Sequence, residues 1–157
     1  HFADDQHNCS AMPILAAVAA RTQRIRVGTY IILLAFHNPI LVAEDAAVLQ
    51  KLVRHLLHVA GADVVVVENG QEAVDAVQGG RFDLVLMDVE MPVLDGCRAT
   101  EALRRLGLKL PILALTGHAS AQFREEALAC GFDAVLVKPV PKRVLLEACG
   151  RFATGSA

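Results

Sequence analysis

Residues 82–96 read FDLVLMDVEMPVLDG, an apolar run that ends abruptly at Asp88 and is followed by a Met-Pro turn and an Asp-Gly pair. This pattern is typical of a buried strand that presents a carboxylate at its C-terminal end. In an open sheet of parallel strands, ligands bind at that end of the strands. A site at Asp88 therefore requires further polar groups at the same edge of the sheet.

Strands and helices alternate regularly along the rest of the chain. Short apolar segments at 64–67, 84–87, 111–115 and 134–137 are separated by amphipathic helical segments. This alternation predicts right-handed βαβ units and a parallel sheet, and five strands are too few for a closed eight-stranded barrel. The sequence therefore predicts a flavodoxin-like, doubly wound α/β sandwich with a five-stranded parallel sheet and an extra N-terminal helix at residues 11–21.

Composition sets limits on the class of protein. The chain has 157 residues, of which 54% are hydrophobic and 20% charged, which suits one domain with a packed core. A net charge of -2 gives no electrostatic reason to expect nucleic acid, and no apolar run is long enough to span a membrane. The chain begins with His1 rather than Met, which suggests a piece of something longer. The cysteines lack CxxC spacing, so we predict free thiols in a reducing cytoplasm at Cys9, Cys97, Cys130 and Cys149.

Polar side chains follow three of the predicted strands, at the point where each strand ends. They are Asp88, Thr116 and Lys138. Each alone has an ordinary explanation, as a turn residue, a helix cap or a solvated lysine. Together, at one edge of a parallel sheet, a carboxylate, a hydroxyl and an ammonium suit phosphoryl transfer. Mg²⁺ at such a site would need further oxygen ligands.

Several segments of the chain match one known pattern in order. Residues from about 50 to 152 resemble the receiver domain of two-component response regulators. The matching segments are VVENGQEA at 66–73, MDVEMPVLDG at 87–96, LTGHA at 115–119 and VKP at 137–139.

The resemblance implies a role for each residue at the predicted strand ends. Asp88 is implied to accept a phosphoryl group, with Mg²⁺, from a phosphohistidine of a histidine kinase or phosphotransfer protein. Thr116 would contact that group, Lys138 would pair with it, and Glu90 would offer its backbone carbonyl to Mg²⁺. In the family, movement of the hydroxyl is coupled to an aromatic residue three before the lysine, and Val135 departs from that pattern.

The N-terminal third carries a different resemblance. Residues from about 1 to 49 resemble a fragment of the luciferase-like, flavin-dependent monooxygenases, which are (βα)₈ barrels. The matching segments are HFADD at 1–5, LAAVAART at 15–22, RIRVGT at 24–29 and the run HNPILVAEDAAVL at 37–49. Most of a barrel is missing, so neither flavin binding nor monooxygenase activity is expected.

The two resemblances predict a chimera with a junction near Leu49/Gln50. Residues 1–157 would form a single α/β domain, with a barrel-derived segment at 1–49 and a receiver-derived segment at 50–157. Two functions follow as alternatives. The chain is a phosphoacceptor module, or it is a recombined or engineered scaffold with no selected activity. The kinase partner and the oligomeric state stay open.

Two placements of the first strand are possible. If residues 40–43 form it, Glu44 and Asp45 lie beside Asp88 as further Mg²⁺ ligands. If residues 25–34 form it, one helix runs from 39 to 60 and carries both acidic residues away from the site.

We favour the second placement, on three observations. Residues 25–34 are rich in β-branched residues, and Asn38 followed by Pro39 suits the start of a helix. Glu44 also continues the polar helical stripe of Lys51, His55 and His58. This placement predicts a Mg²⁺ site that is weakened or lost, because only Asp88, the carbonyl of Glu90 and water would remain.

Overall fold

A five-stranded parallel sheet forms the centre of the part of the chain that the computed structural model describes, namely Phe36 and residues 38–153. Its strands are β1 (Ile40–Ala43), β2 (Val64–Val67), β3 (Leu84–Asp88), β4 (Ile112–Thr116) and β5 (Ala134–Val137). They are ordered β2-β1-β3-β4-β5, and every pair is parallel. This order is that of flavodoxin-like folds and confirms the predicted fold class. The predicted N-terminal helix lies outside the described residues.

Helices connect the strands. They are α1 (Ala47–Val59), α2 (Gly70–Gly79), α3 (Gly96–Arg105), α4 (Ala121–Ala129) and α5 (Lys142–Ala153). Three of them begin at a side-chain cap, which accepts a hydrogen bond from a backbone N–H in the first turn: Asn69, Asp95 and Ser120. Within Phe36 and residues 38–153, no helix has the length and apolar character to cross a bilayer.

The core lies on both faces of the sheet, because successive side chains of a strand point to opposite sides. On one face, Ile40 and Val42 of β1 cluster with Leu57 of α1 and Leu145 of α5. On the other face, Leu41 and Ala43 cluster with residues of α2 and α3, such as Ala73 and Leu103. All four residues of β1 are fully buried, as expected for an internal parallel strand.

The favoured placement of the first strand is wrong. Residues 40–43 form β1, which pairs with β2 on one side and β3 on the other. Asn38 binds the Asp83 carboxylate through its backbone N–H and its amide, each at 2.9 Å, instead of capping a helix. The helix starts only at Ala47. Four apolar residues suffice for this strand because its neighbours are also short, with four residues in β2 and five in β3. The competing segment at 25–34 lies outside the described residues.

The prediction of free thiols is wrong for two cysteines. Cys97 and Cys130 form a disulfide, whereas Cys149 is free and buried. Burial raises the pKa of the Cys149 thiol to about 12. Cys9 lies outside the described residues. The bridged pair is separated by 33 residues, so the tertiary fold rather than the local sequence brings the two sulfurs together.

Close backbone packing at the start of α3 gives a first prediction. A Cβ on Gly96 would collide with the carbonyl oxygen of Asp88 and lie 2.9 Å from the Cα of Val89. We expect Gly96→Ala to lower the free energy of unfolding by about 1–3 kcal/mol, measured by urea denaturation. Gly79→Ala is the matched control, since a Cβ there meets nothing within 4 Å. Equal stability of the two variants would contradict the packing argument.

Candidate functional site

The C-terminal ends of the strands bring an ammonium between two buried carboxylates. Lys138, directly after β5, places its Nζ 2.6 Å from Oδ2 of Asp88 and 2.7 Å from Oε2 of Glu44. Asp88 is the last residue of β3, and Glu44 directly follows β1. Glu44 and Asp88 are 1% and 5% exposed, so both contacts are shielded from solvent.

Glu44 is the most deeply buried member of this group. Burial raises the pKa of Glu44, the hydrogen bond from Lys138 lowers it, and the charge of Asp88 raises it further, with a net upward direction. For Lys138, burial alone would lower the pKa, but the hydrogen bonds to Asp88 and Glu44 outweigh it, and its pKa is raised. The two upward pKa shifts are consistent with each other, because Lys138 faces two carboxylates, whereas Glu44 shares one ammonium with a competing carboxylate. Negative charge is therefore in excess.

Asp45 adds a third carboxylate to the group. One oxygen from each of Glu44, Asp45 and Asp88 lies within 4.8 Å of the others. Three carboxylates against one ammonium leave an excess of two negative charges. Carboxylate oxygens are the ligands that Mg²⁺ prefers, and a divalent cation would balance this charge, so the donor set fits Mg²⁺. The placement of Glu44 and Asp45 away from the pocket is wrong, and the reason for expecting a weakened metal site is removed with it.

The loop after β3 fixes the orientation of Asp88. The backbone N–H of Glu90 donates to Oδ1 of Asp88 at 3.2 Å, while Oδ2 binds Lys138. Further along the loop, the N–H of Gly96 donates to the carbonyl of Val89 at 2.9 Å. Both oxygens of Asp88 are thus held, and the loop is anchored to the first turn of α3.

Thr116 ends β4 at the same edge of the sheet. It is fully buried, and its hydroxyl accepts a hydrogen bond from the N–H of His118 at 3.0 Å. The ring of His118 reaches across to the loop after β3, where Nε2 lies 2.7 Å from Oε1 of Glu90. Val135, the position that departs from the family pattern, is buried in β5.

Sequence reasoning therefore identified part of this arrangement. Asp88, Thr116 and Lys138 lie at neighbouring strand ends as predicted, and Asp88 and Lys138 are in direct contact. The pairing of His118 with Glu90 was missed. A signal was present, because each residue stands two positions after a strand end and those two strands are neighbours.

Comparison with known proteins identifies the family. Residues 40–149 match the response regulator receiver domain. The chain belongs to the receiver domain family. It is therefore a regulatory module of the two-component signalling type. Residues 1–60 match the luciferase-like monooxygenases, in agreement with the resemblance of that segment, and the two matches overlap over residues 40–60.

Individual relatives of this receiver domain come from sensor kinases. The sensor protein GacS of Pseudomonas syringae pv. syringae is 47% identical over 113 residues, which cover 69% of this chain and 12% of the relative. The chain thus spans only a small part of the curated relatives it matches. The receiver domain of the sensor histidine kinase PA1611 from Pseudomonas aeruginosa PAO1 aligns with a TM-score of 0.70 and 36% identity, covering 78% of this chain and all of that one. That structure has a magnesium ion coordinated in its active site cleft.

A third relative was solved together with a partner. It belongs to the co-crystal structure of the Saccharomyces cerevisiae histidine phosphotransfer protein Ypd1 with the receiver domain of its downstream response regulator Ssk1. The match has a TM-score of 0.72 and 26% identity, and it covers 76% of this chain and 91% of that one. The predicted junction near Leu49/Gln50 and the division of the chain at that point stay predictions.

The buried carboxylate gives a second prediction. Because the pKa of Glu44 is raised in the folded protein, its contribution to stability is fully present below the ordinary value of 4.5 and is lost as the pH rises through the raised pKa. Glu44→Gln mimics the neutral acid. In metal-free buffer we expect this variant to have a higher free energy of unfolding than the wild type at pH 7, and the difference to shrink as the pH falls towards 4.5.

Urea denaturation at a series of pH values checks this prediction. The control is Glu125→Gln, since Glu125 is exposed and lies on the surface of α4. A Glu44→Gln variant that is less stable than the wild type at every pH would contradict it.

Proposed function

We propose that Asp88 accepts a phosphoryl group from a phosphohistidine of a histidine kinase or phosphotransfer protein. The observation that carries this proposal is the ammonium of Lys138, held within 2.7 Å of both buried carboxylates at the edge of the sheet. It supplies a fixed positive charge next to the oxygen that would receive the phosphoryl group. Membership of the receiver family and the relatives in sensor kinases support the same role.

The transfer is written with Asp88 as nucleophile. A carboxylate oxygen of Asp88 attacks phosphorus, the bond from phosphorus to the histidine nitrogen breaks, and the imidazole leaves with the electron pair. Lys138 would then interact with the phosphoryl oxygens, and the hydroxyl of Thr116 would donate to one of them. Asp45, Asp88 and the carbonyl of Glu90 would hold Mg²⁺, with Glu44 as a further carboxylate. When bound, Mg²⁺ neutralises charge on the transferring group.

The partners and the cellular location follow as part of this proposal. The relative solved with a histidine phosphotransfer protein and the similarity to sensor kinases favour a phosphohistidine donor. With a donor of this kind, we propose a cytoplasmic location for the receiver. The luciferase-like match covers residues 1–60 only, and nothing in it favours monooxygenase activity over the receiver role.

Phosphorylation of Asp88 is tested with a small acyl phosphate. Incubation with the donor and Mg²⁺, followed by intact mass spectrometry, is expected to give one phosphoryl adduct on the wild type and none on Asp88→Asn. Asp95→Asn is the control, because Asp95 follows in the same loop but caps α3. An adduct on Asp88→Asn, or none on the wild type, would contradict the proposal, and the second result would favour the scaffold alternative.

The metal ligands are tested separately from phosphorylation. We expect Asp45→Asn to weaken Mg²⁺ binding by about 10-fold or more, because it removes one charged oxygen ligand. The readout is the rise in melting temperature with Mg²⁺ concentration, which reports binding to the folded state. Asp63→Asn is the matched control, since Asp63 is exposed and directly precedes β2, at the N-terminal ends of the strands and away from the site. Equal Mg²⁺ responses in both variants would exclude Asp45 as a ligand.

A further inference from the structure

The disulfide joins two helices that start beside the phosphoacceptor site. Cys97 lies in the first turn of α3, and Cys130 is the C-terminal cap of α4. Their Cα atoms are 5.4 Å apart, and both residues are partly exposed. That separation lies within the range of ordinary disulfides, so the pair can open and close without a large backbone movement.

Each end of the bridge is connected to a residue of the site. Cys97 directly follows Gly96, which packs against the carbonyl of Asp88. At the other end, α4 begins at its cap Ser120, four residues after Thr116, and runs to Cys130. The bridge therefore links the two helices that follow the strand ends carrying Asp88 and Thr116.

The accessibility of the pair distinguishes it from the remaining described cysteine. Cys149 lies on α5 and is fully buried in the core. Disulfides are rare in reducing compartments, and those that occur there are usually transient and redox-sensing. Under the cytoplasmic location proposed above, a partly exposed disulfide would exchange with the thiol pool rather than act as a permanent cross-link.

We propose that Cys97 and Cys130 form a redox modification site, a reversible thiol–disulfide pair whose oxidation slows phosphorylation of Asp88. The regulatory part of this inference rests on the proposed function. The co-substrate class is a small-molecule disulfide such as oxidised glutathione.

The exchange is balanced in atoms and electrons. One cysteine thiolate attacks a sulfur of the glutathione disulfide, forming a mixed disulfide and releasing one glutathione thiolate. The second cysteine thiolate then attacks the protein sulfur of the mixed disulfide and releases the other glutathione. Two electrons pass from the cysteine pair to glutathione disulfide, and the two thiol protons pass to the released thiolates or to solvent. Reduction is the same sequence in reverse.

The coupling is mechanical. The hydroxyl of Thr116 now accepts from the N–H of His118, in the loop that leads into α4. Moving this hydroxyl and its loop towards a phosphoryl group on Asp88 displaces the start of α4, and the bridge at the other end of α4 ties that helix to α3. The dithiol form lacks this restraint. We therefore expect the reduced protein to be phosphorylated faster, by about fivefold or more, the lower end of typical coupling between sites.

The test has two independent arms on the full chain. In the first, the protein is equilibrated in glutathione buffers of graded oxidised-to-reduced ratio, alkylated and mapped by mass spectrometry. We expect the cross-linked peptide joining Cys97 and Cys130 to be replaced by two alkylated cysteines as the ratio falls. A bridge that never forms or never opens across these ratios would overturn the redox site.

In the second arm, phosphorylation by the small acyl phosphate is timed for the oxidised and the reduced protein. The double variant Cys97→Ser, Cys130→Ser is expected to be phosphorylated at the rate of the reduced protein, whatever the glutathione ratio. The single variant Cys130→Ser provides a second control. Circular dichroism checks that both variants are folded. Equal rates in both redox states would overturn the regulatory inference. No adduct in either state would overturn the proposed function and its regulation, while the first arm would still decide the redox site.

Discussion

The contact of one ammonium with two buried carboxylates depends on the register of the sheet. Ala43 pairs with Met87, so the residues that follow them, Glu44 and Asp88, emerge side by side. Lys138 meets them only because β5 ends level with β4, where Thr116 pairs with Val137. A slip of one residue in any of these pairs would turn the functional side chain to the other face of the sheet. The packing of alternate strand side chains into the core on each face therefore also fixes the positions of the site residues.

Residues whose position follows from local pattern were predictable. Asp88, Thr116 and Lys138 each end a short apolar run, and parallel strands bring such ends to one edge whatever the details of packing. The first strand was not predictable in this way, since residues 25–34 and 40–43 were both plausible. Pairing on both sides, with β2 and β3, decides between them, and that information is not local. The disulfide has the same limitation, because it joins two residues 33 positions apart in the sequence.

The arrangement of the site has an energetic cost, which is the burial of the Glu44 carboxylate. An acid that is fully buried, and that shares a single ammonium with a second carboxylate, is less stable in its charged form than it would be in water. Hydrophobic packing alone would favour a neutral side chain at this position. Retaining the charge is physically reasonable if a divalent cation binds there, as proposed above, because the cation would restore the balance of charge.

The overlap of the two family matches over residues 40–60 bears on the origin of the chain. These residues include β1, the acidic pair Glu44 and Asp45, and α1. A strand followed by a helix, with functional groups at the C-terminal end of the strand, is the repeating unit of both (βα)₈ barrels and doubly wound sheets. Recombination near Leu49/Gln50 would therefore exchange one such unit for another. Glu44 and Asp45 would reach the pocket because of their place after the strand, whichever parent supplied them, so a chimeric origin would not by itself remove the proposed metal site.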